Sequence, residues 1–314
     1  MRFGLLTTAG INRKLLDQRY EGAPYVFAAV GSRERARAEA YAREHELPRA
    51  HGSYEELLAD PDLDAVYVAL PNVLHHEWTM RALAAGKHVL CEKPYSRRPE
   101  HVEDAWDEAG RRGLVLMEGY MWRHSRQTAL MLDLLPQIGE LVAITSTFSF
   151  DLSWKDDVRL VRDLGGGALL DVGCYCVSAA RLLAGREPDR VYGEQSLGRG
   201  GVDERFAGVL RFGEVLATFN CGFASNEHRS LVAIGSKGEL RTPDPWHASE
   251  ARVFLNGEEH PADDVDPYRL QLENFSAAVR GEAAPLLGRD DALGQARTLD
   301  ALLRSAETAK AIAL

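Results

Sequence analysis

The chain has 314 residues, 45% of them hydrophobic and 27% charged, with a formal net charge of −10. That composition suits one or two globular domains with a proper core and excludes a disordered or fibrous chain. The acidic balance, without a block of like charge, argues against a nucleic-acid surface. No apolar run approaches the roughly 20 residues of a membrane span, and "MRFGLLTTAG" lacks the apolar segment and cleavage site of a secretory leader. Four cysteines make no disulfide framework and ten scattered histidines show no ligand spacing, so no metal site is expected. These features predict a soluble, reduced, cytoplasmic protein.

In chain order, "RFGLLTT" reads as a strand and "INRKLLDQR" as a helix. "YVFAAVGS" is a second strand, followed by "RERARAEAYAREHEL", rich in helix formers. "SYEELLAD" carries a capping box, Ser53 answered by Glu56. "AVYVAL" is a third strand, and "VLHHEWTMRALAAG" a helix closed by Gly86. "HVLCE", "PEHVEDAWDEAGRRG" and "LVLMEGY" complete the set. Strands apolar throughout and separated by helices predict a parallel doubly wound sheet, with its ligand beyond the carboxyl ends of the strands.

After about residue 120 the pattern changes. "GELVAITSTFSF", "RFAGVLRF", "EVLATFNCGF" and "SLVAIGSKGELRT" alternate in polarity and predict an antiparallel sheet. One helix, "GGALLDVGCYCVSAARLLAG", interrupts them, and two more are expected near 266–280 and 290–312. The expected class is therefore α/β, a doubly wound domain over 1–120 and an α+β domain with a large, mostly antiparallel open sheet over 121–314. The C-terminal helix is a candidate to pack back on the first domain.

Three places carry chemistry. The first strand runs into "TTAGIN", where a dinucleotide fold normally has G-x-G-x-x-G/A. This chain shows Thr7, Ala9 and Asn12 in that register, with Gly10 between. The loop is either an ordinary strand–helix turn or a tight phosphate loop in which Thr7 or Thr8 donates a hydroxyl. The second strand ends in Ser32 and Arg33 where NAD-selective folds place an acid. A hydroxyl and a guanidinium suit a 2′-phosphate; the alternative is that Arg33, Arg35 and Arg37 form a solvated helix face. In the later helix, Asp171 and Tyr175 lie four apart and share one face, after a run of three glycines at 165–167. They are either a buried functional pair or a plain tertiary contact.

"GKHVLCEKP", "PNVLHHEW", "MEGYMWR" and "GGGALLDVGCY" together resemble the glucose–fructose oxidoreductase / inositol dehydrogenase / MocA family of pyridine-nucleotide enzymes. Tyr175 stands where many members have a histidine. With "MWR" and "VRL", this is most similar to the branch of dimeric dihydrodiol dehydrogenase and NADP-dependent sugar dehydrogenases. The resemblance implies an N-terminal Rossmann domain and an open C-terminal sheet that makes a homodimer or homotetramer. It implies Lys93, Tyr175, Asp171 and Arg159 as the catalytic set. The cofactor would be held by Thr7, Thr8, Ala9, Gly10, Ile11, Asn12, Ser32, Arg33, Leu70, Asn72, His75, Glu92 and Lys93. Trp122, Arg123, Trp154 and Trp246 would join Asp171 and Tyr175 around the substrate, although a lone tryptophan is also a common core residue. The chain departs from the branch in its glycine-poor phosphate loop and in His124, Ser125 and Arg126 after "MWR".

The expected function is NADP(H)-dependent oxidoreduction of a sugar, sugar derivative or cyclic diol, with NAD(H) as second cofactor. A free tyrosine has a pKa near 10, and an ammonium within about 4–6 Å favours its phenolate. Lys93 would thus bring Tyr175 towards useful acid/base behaviour. The alternatives are a ketoreductase of a nucleotide-linked keto-sugar and a catalytically silent dinucleotide-binding sensor.

Overall fold

The computed structural model describes residues 1–152, 157–249 and 251–314. It divides into two compact units, residues 1–121 with 268–292, and residues 122–267 with 293–314.

In the first unit, β1 (Arg2–Leu5), α1 (Asn12–Leu16), β2 (Val26–Gly31), α2 (Arg35–Glu44), β3 (Arg49–His51), α3 (Tyr54–Leu58), β4 (Ala65–Val68), α4 (His75–Ala84), β5 (His88–Glu92), α5 (Pro99–Arg112) and β6 (Leu116–Gly119) follow in order. The strands form one sheet in the order β3-β2-β1-β4-β5-β6, every pair parallel. This is the strand order of a dinucleotide-binding Rossmann sheet, with its switch point between β1 and β4. All four residues of β4 are buried, as expected of a strand covered on both faces. The edge strand β3 was not anticipated, because "RAH" is three residues long and has no apolar run. Ser53 Oγ accepts the Glu56 amide at 3.0 Å, as the capping box predicts, but Glu56 returns its carboxylate to the Gly52 amide at 2.9 Å.

The second unit contains α6 (Arg126–Leu134), β7 (Leu141–Asp151), α7 (Cys174–Ala184), β8 (Arg190–Leu197), β9 (Asp203–Phe212), β10 (Val215–Gly222), β11 (Ala224–Gly235), β12 (Gly238–Thr242), β13 (Arg252–Leu255) and β14 (Glu258–Pro261). The chain ends with α8 (Pro267–Val279), α9 (Arg289–Thr308) and β15 (Ile312–Ala313); most of α8 belongs to the first unit and most of α9 to the second. Nine strands pair in the order β14-β13-β12-β11-β7-β10-β9-β8-β15. The sheet is mostly antiparallel, but its central pair, β7 and β10, is parallel. A helix and a hairpin separate those two strands in sequence, which lets the chain return in the same direction. "SLVAIGSKGELRT" splits into two strands at Ser236–Lys237, and the closing helix stops at Thr308 before β15.

The stretch Arg162–Ala184 is long and apolar enough to cross a membrane by length and composition, with a mean hydropathy of 1.4, so the expectation that no run approaches that length needs correcting. It is a packed helix: 83% of its apolar window is buried within the protein.

Candidate active site

The cofactor-side loop closes without the usual glycines. Thr7 Oγ1 donates to Ala69 O at 3.1 Å and accepts the Ala9 amide at 3.1 Å, and Asn12 Nδ2 donates to Thr7 O at 2.6 Å. The Thr7 proton is therefore committed and Thr7 cannot offer it to phosphate; Thr8, half-buried, keeps that option. Asn12 is 0% exposed and acts as the strut of the loop. A Cβ on Gly10 would meet nothing within 4 Å, so its small size is not required for this conformation. Among the described residues, the amides of Gly10 and Ile11 donate to no protein acceptor.

At the end of β2, Ser32 is buried and its Oγ accepts the Glu34 amide at 3.3 Å. Arg35 is spent in an ion pair with Glu56 at 2.6 Å. Arg33 and Arg37 pair with no carboxylate among the described residues. Both bear on Tyr54, whose pKa burial raises and whose neighbouring guanidiniums draw it back down. Sequence reasoning set Arg37 aside and missed Tyr54; neither carries a signal that singles it out.

The Glu-Lys-Pro turn follows β5. Glu92 accepts the Tyr67 hydroxyl and the Lys93 amide, the latter at 3.3 Å. The Lys93–Pro94 peptide is cis. The Tyr95 amide donates to the buried Glu118 carboxylate at 2.6 Å, and His76 Nδ1 meets the Tyr95 hydroxyl at 3.0 Å. His76 also stacks on His101, centroids 4.0 Å apart and rings 8° from parallel, while His101 Nδ1 meets Ser96 Oγ at 3.2 Å. His75, expected to line the cofactor cleft, is 0% exposed. Its ring nitrogens lie 2.9 Å from Pro94 O and 2.8 Å from Leu70 O. Burial pulls its pKa down against those two carbonyls. His75 thus ties the turns after β4 and β5 together and presents no surface to a ligand. Asn72 opens the short 3₁₀ turn just before it, and both Leu70 and Asn72 are half-buried.

In the second unit, a π-helical turn over Leu169–Gly173 precedes α7. Such turns insert an extra residue per turn and recur at functional sites. Asp171 sits in that turn and accepts from Arg159 Nε at 2.8 Å, while Arg159 Nη1 reaches Asp157 at 3.0 Å. The two carboxylates, Asp171 first, raise the pKa of the guanidinium further. Two residues into the regular helix, the Tyr175 ring packs edge-on against Phe148 at 5.3 Å and Trp246 at 5.8 Å, and is 6% exposed. Phe148 and Trp246 are stacked at 5.8 Å, Trp246 Nε1 donates to Thr147 O at 3.1 Å, and Trp122 stands perpendicular to Trp246 at 5.5 Å. Trp122 and Trp246, 2% and 0% exposed, are therefore inside an aromatic cluster that fixes the Tyr175 ring, and do not form an open rim. Arg123 donates to Ser178 Oγ at 3.3 Å, one turn along from Tyr175. Burial, then Arg123, pulls the His124 pKa down to about 3, so His124 is a neutral packing group. Trp154 lies outside the described residues.

Sequence reasoning missed Phe148, hidden in an ordinary alternating strand, and Asp203. The latter opens β9 and its carboxylate accepts the Leu169 amide at 2.6 Å.

Residues 6–120 match the oxidoreductase family with an NAD-binding Rossmann fold, and residues 136–241 match the GFO/IDH/MocA C-terminal domain. D-xylose 1-dehydrogenase (NADP(+)) 2 of Haloferax volcanii is 39% identical over 100% of both chains. Trans-1,2-dihydrobenzene-1,2-diol dehydrogenase of Xenopus tropicalis is 32% identical over 79% of this chain and 75% of its own. The structure of a 3-ketoreductase from Actinomadura kijaniata, in complex with NADP and TDP-benzene, superposes with a TM-score of 0.90 at 31% identity over 97% of each chain. The chain belongs to the GFO/IDH/MocA oxidoreductase family.

Proposed function

We propose that the protein is an NADP(H)-preferring oxidoreductase of a sugar, sugar derivative or cyclic diol, with Tyr175 as general acid/base assisted by Lys93. The observation that carries this reading is the fixing of Tyr175. Its ring is boxed by Phe148 and Trp246, and the turn before it is anchored by the Asp171–Arg159 ion pair. A tyrosine held in one orientation beside a paired carboxylate is what proton transfer at a defined oxygen needs. The relatives named for D-xylose, for a dihydrobenzene diol and for a dTDP-linked dideoxy sugar support the substrate class.

The residues present fit a dinucleotide. The two unspent amides at Gly10 and Ile11 suit a pyrophosphate oxygen, and Ser32 with the unpaired Arg33 and Arg37 suits a 2′-phosphate. Bound there, the cofactor supplies or accepts the hydride. Lys93 favours the phenolate of Tyr175 and steadies the reacting oxygen. In oxidation Tyr175 takes the hydroxyl proton as the C–H hydrogen leaves as hydride; in reduction it returns that proton to the new alkoxide. Arg159 holds Asp171, which keeps the helix start in place.

We further propose a homodimer or larger assembly through the open face of the nine-stranded sheet. One row across it is Tyr192, Val209, Thr218, Thr145, Val232 and Arg241; the adjacent row carries Leu216, Ala143 and Ile234. Val209, Leu216 and Ile234 are 38%, 43% and 41% exposed beside Arg241 in the first row and Arg211 and Glu239 in the second, a mixed apolar and charged face that a second copy would cover. Light scattering at micromolar protein should give at least twice the 34.7 kDa chain mass; a monomer refutes the assembly.

The function is tested by following NADPH absorbance across sugars, nucleotide-linked keto-sugars and cyclic diols. Turnover of an aldose or cyclic diol supports the leading reading, and turnover confined to nucleotide-linked keto-sugars supports the ketoreductase. No turnover despite tight NADP(H) binding favours a sensor.

A further inference from the structure

Asp203 is 4% exposed, arrives on a different strand from the Tyr175 helix, and pairs with no cation among the described residues. Its carboxylate accepts the Leu169 amide at 2.6 Å, and its own amide and the nearby Ala168 amide also favour its charged form. The chain has made room for it: Gly167 has φ +124°, and a Cβ there would lie 2.1 Å from Asp203 Oδ1. The segment it caps is the π turn Leu169–Gly173, which carries Asp171 and runs into Tyr175. The same turn is held at its start by Gly167 N to Arg159 O at 2.9 Å and by Asp171 N to Gly167 O at 3.0 Å. Gly173 closes it against β10, where a Cβ would lie 2.7 Å from Cys221 Sγ.

We propose that Asp203 is the positioning residue of the Tyr175 helix: in its ionised form it pins the first turn through the Leu169 amide and so sets where Asp171 and Tyr175 stand. The proposal rests on Tyr175 being the proton donor. Charge-assisted bonds from amides to a carboxylate are shorter and roughly twice as strong as neutral ones, so loss of the charge slackens the turn.

The charge is held against a solvation penalty. Burial pushes the Asp203 carboxyl up to about 7, against the pull of the Leu169 and Ala168 amides. Facing groups do not relieve it. From β10, the Cys221 thiol is itself pushed well up by burial and stays neutral. On the helix side, Cys174 is a buried cysteine outside any disulfide and Asp171 is already paired with Arg159. In the turn before β9, Arg162 Cδ lies 3.9 Å from a Cβ on Gly201, and Glu204, next in the strand, lies against Gly198. Because the folded pKa lies above the unfolded value of about 3.9, the stability linked to this group is complete below about pH 4 and is lost as pH rises through about 7.

The test compares wild type, Asp203→Asn and Tyr175→Phe in kcat, KM and Tm from pH 5.5 to 8.5. At pH 8 Asp203→Asn should keep or raise Tm, leave KM for NADP(H) unchanged, and lose about 5- to 30-fold in kcat, as the charge-assisted bond from the Leu169 amide becomes a neutral one. Wild-type kcat should fall below pH 7 towards the Asn value, and the Asn variant should lack that acidic limb. A wild-type kcat profile in the Asn variant overturns the proposal. So does a loss of Tm at pH 8 with a parallel, pH-independent loss of kcat, which marks a plain structural cap. If the Asn variant does not fold, Asp203→Ser and a carboxyl carbon-13 titration of the wild type decide: no aspartate titrating near 7 overturns it. Full turnover by Tyr175→Phe defeats the assignment of the proton donor instead, whatever Asp203→Asn does.

Discussion

The candidate residues of the two units are held by different materials. On the dinucleotide side, main-chain groups do most of the holding: Asn12 on Thr7 O, His75 between two carbonyls, Tyr95 N on Glu118. On the Tyr175 side, side chains from two strands and two turns converge: Phe148, Asp203, Arg159 and Trp246. A main-chain frame tolerates substitution in the loop it encloses, whereas a frame of buried side chains, one of them charged, depends on each member and on pH. The glycine-poor loop and the Tyr175 helix therefore have opposite sensitivities.

The largest effect expected on the dinucleotide side breaks that pattern at Lys93, the side chain proposed to act on the reacting oxygen. Lys93→Ala should lower kcat by roughly 10²–10⁴, the range of a lost acid/base partner, and also weaken NADP(H) binding. In the double variant with Tyr175→Phe the two kcat losses should not add; additive losses would show that the lysine works independently of the tyrosine. Next is Arg33→Ala, which should weaken NADP(H) roughly 10- to 150-fold, as for a charge-assisted hydrogen bond, and leave NAD(H) nearly unchanged. Isothermal titration with both cofactors checks this, and equal losses would remove the 2′-phosphate assignment.

The first unit should also respond to acid in the opposite sense to Asp203. Burial lowers the pKa of both His76 and His101, and the charge of His76 lowers that of His101 further. Their folded pKa lies below the unfolded value of about 6.5, so the stability they contribute is present above that pH and lost as pH falls through the folded pKa. Tm should drop between pH 7.5 and 5.5, and the drop should shrink in His76→Gln/His101→Gln. An unchanged slope in that variant places the acid sensitivity elsewhere. The smallest effect sharpens the contrast most simply: Gly10→Ala, with open space around the added methyl, should change NADP(H) affinity by less than about threefold, within the range of an ordinary surface substitution.

The sequence shows the first unit well, because apolar runs, helix formers and the Glu-Lys-Pro turn are local signals. It does not show β3, whose three residues take their pairing from β2. In the second unit, "LLDVGCY" identifies a helix with Asp171 and Tyr175, but the π turn depends on the approach of Cys221 to Gly173, a contact between residues 48 apart. Asp203 looks like a turn acid after "GRGG", and only the fold brings it under the helix. The tryptophans show the limit from the other direction: composition suggests aromatic surface for a sugar, while Trp122 and Trp246 are occupied in bracing Tyr175.

The most direct measurement is turnover, NADP(H) affinity and Tm on one variant, Tyr175→Phe, which keeps the ring in its aromatic box and removes only the hydroxyl. A kcat lowered by roughly 10²–10⁴ with cofactor affinity and Tm unchanged is the result expected of a lost general acid/base. A stable Phe variant with near wild-type kcat would make Tyr175 a packing residue and contradict the proposed chemistry.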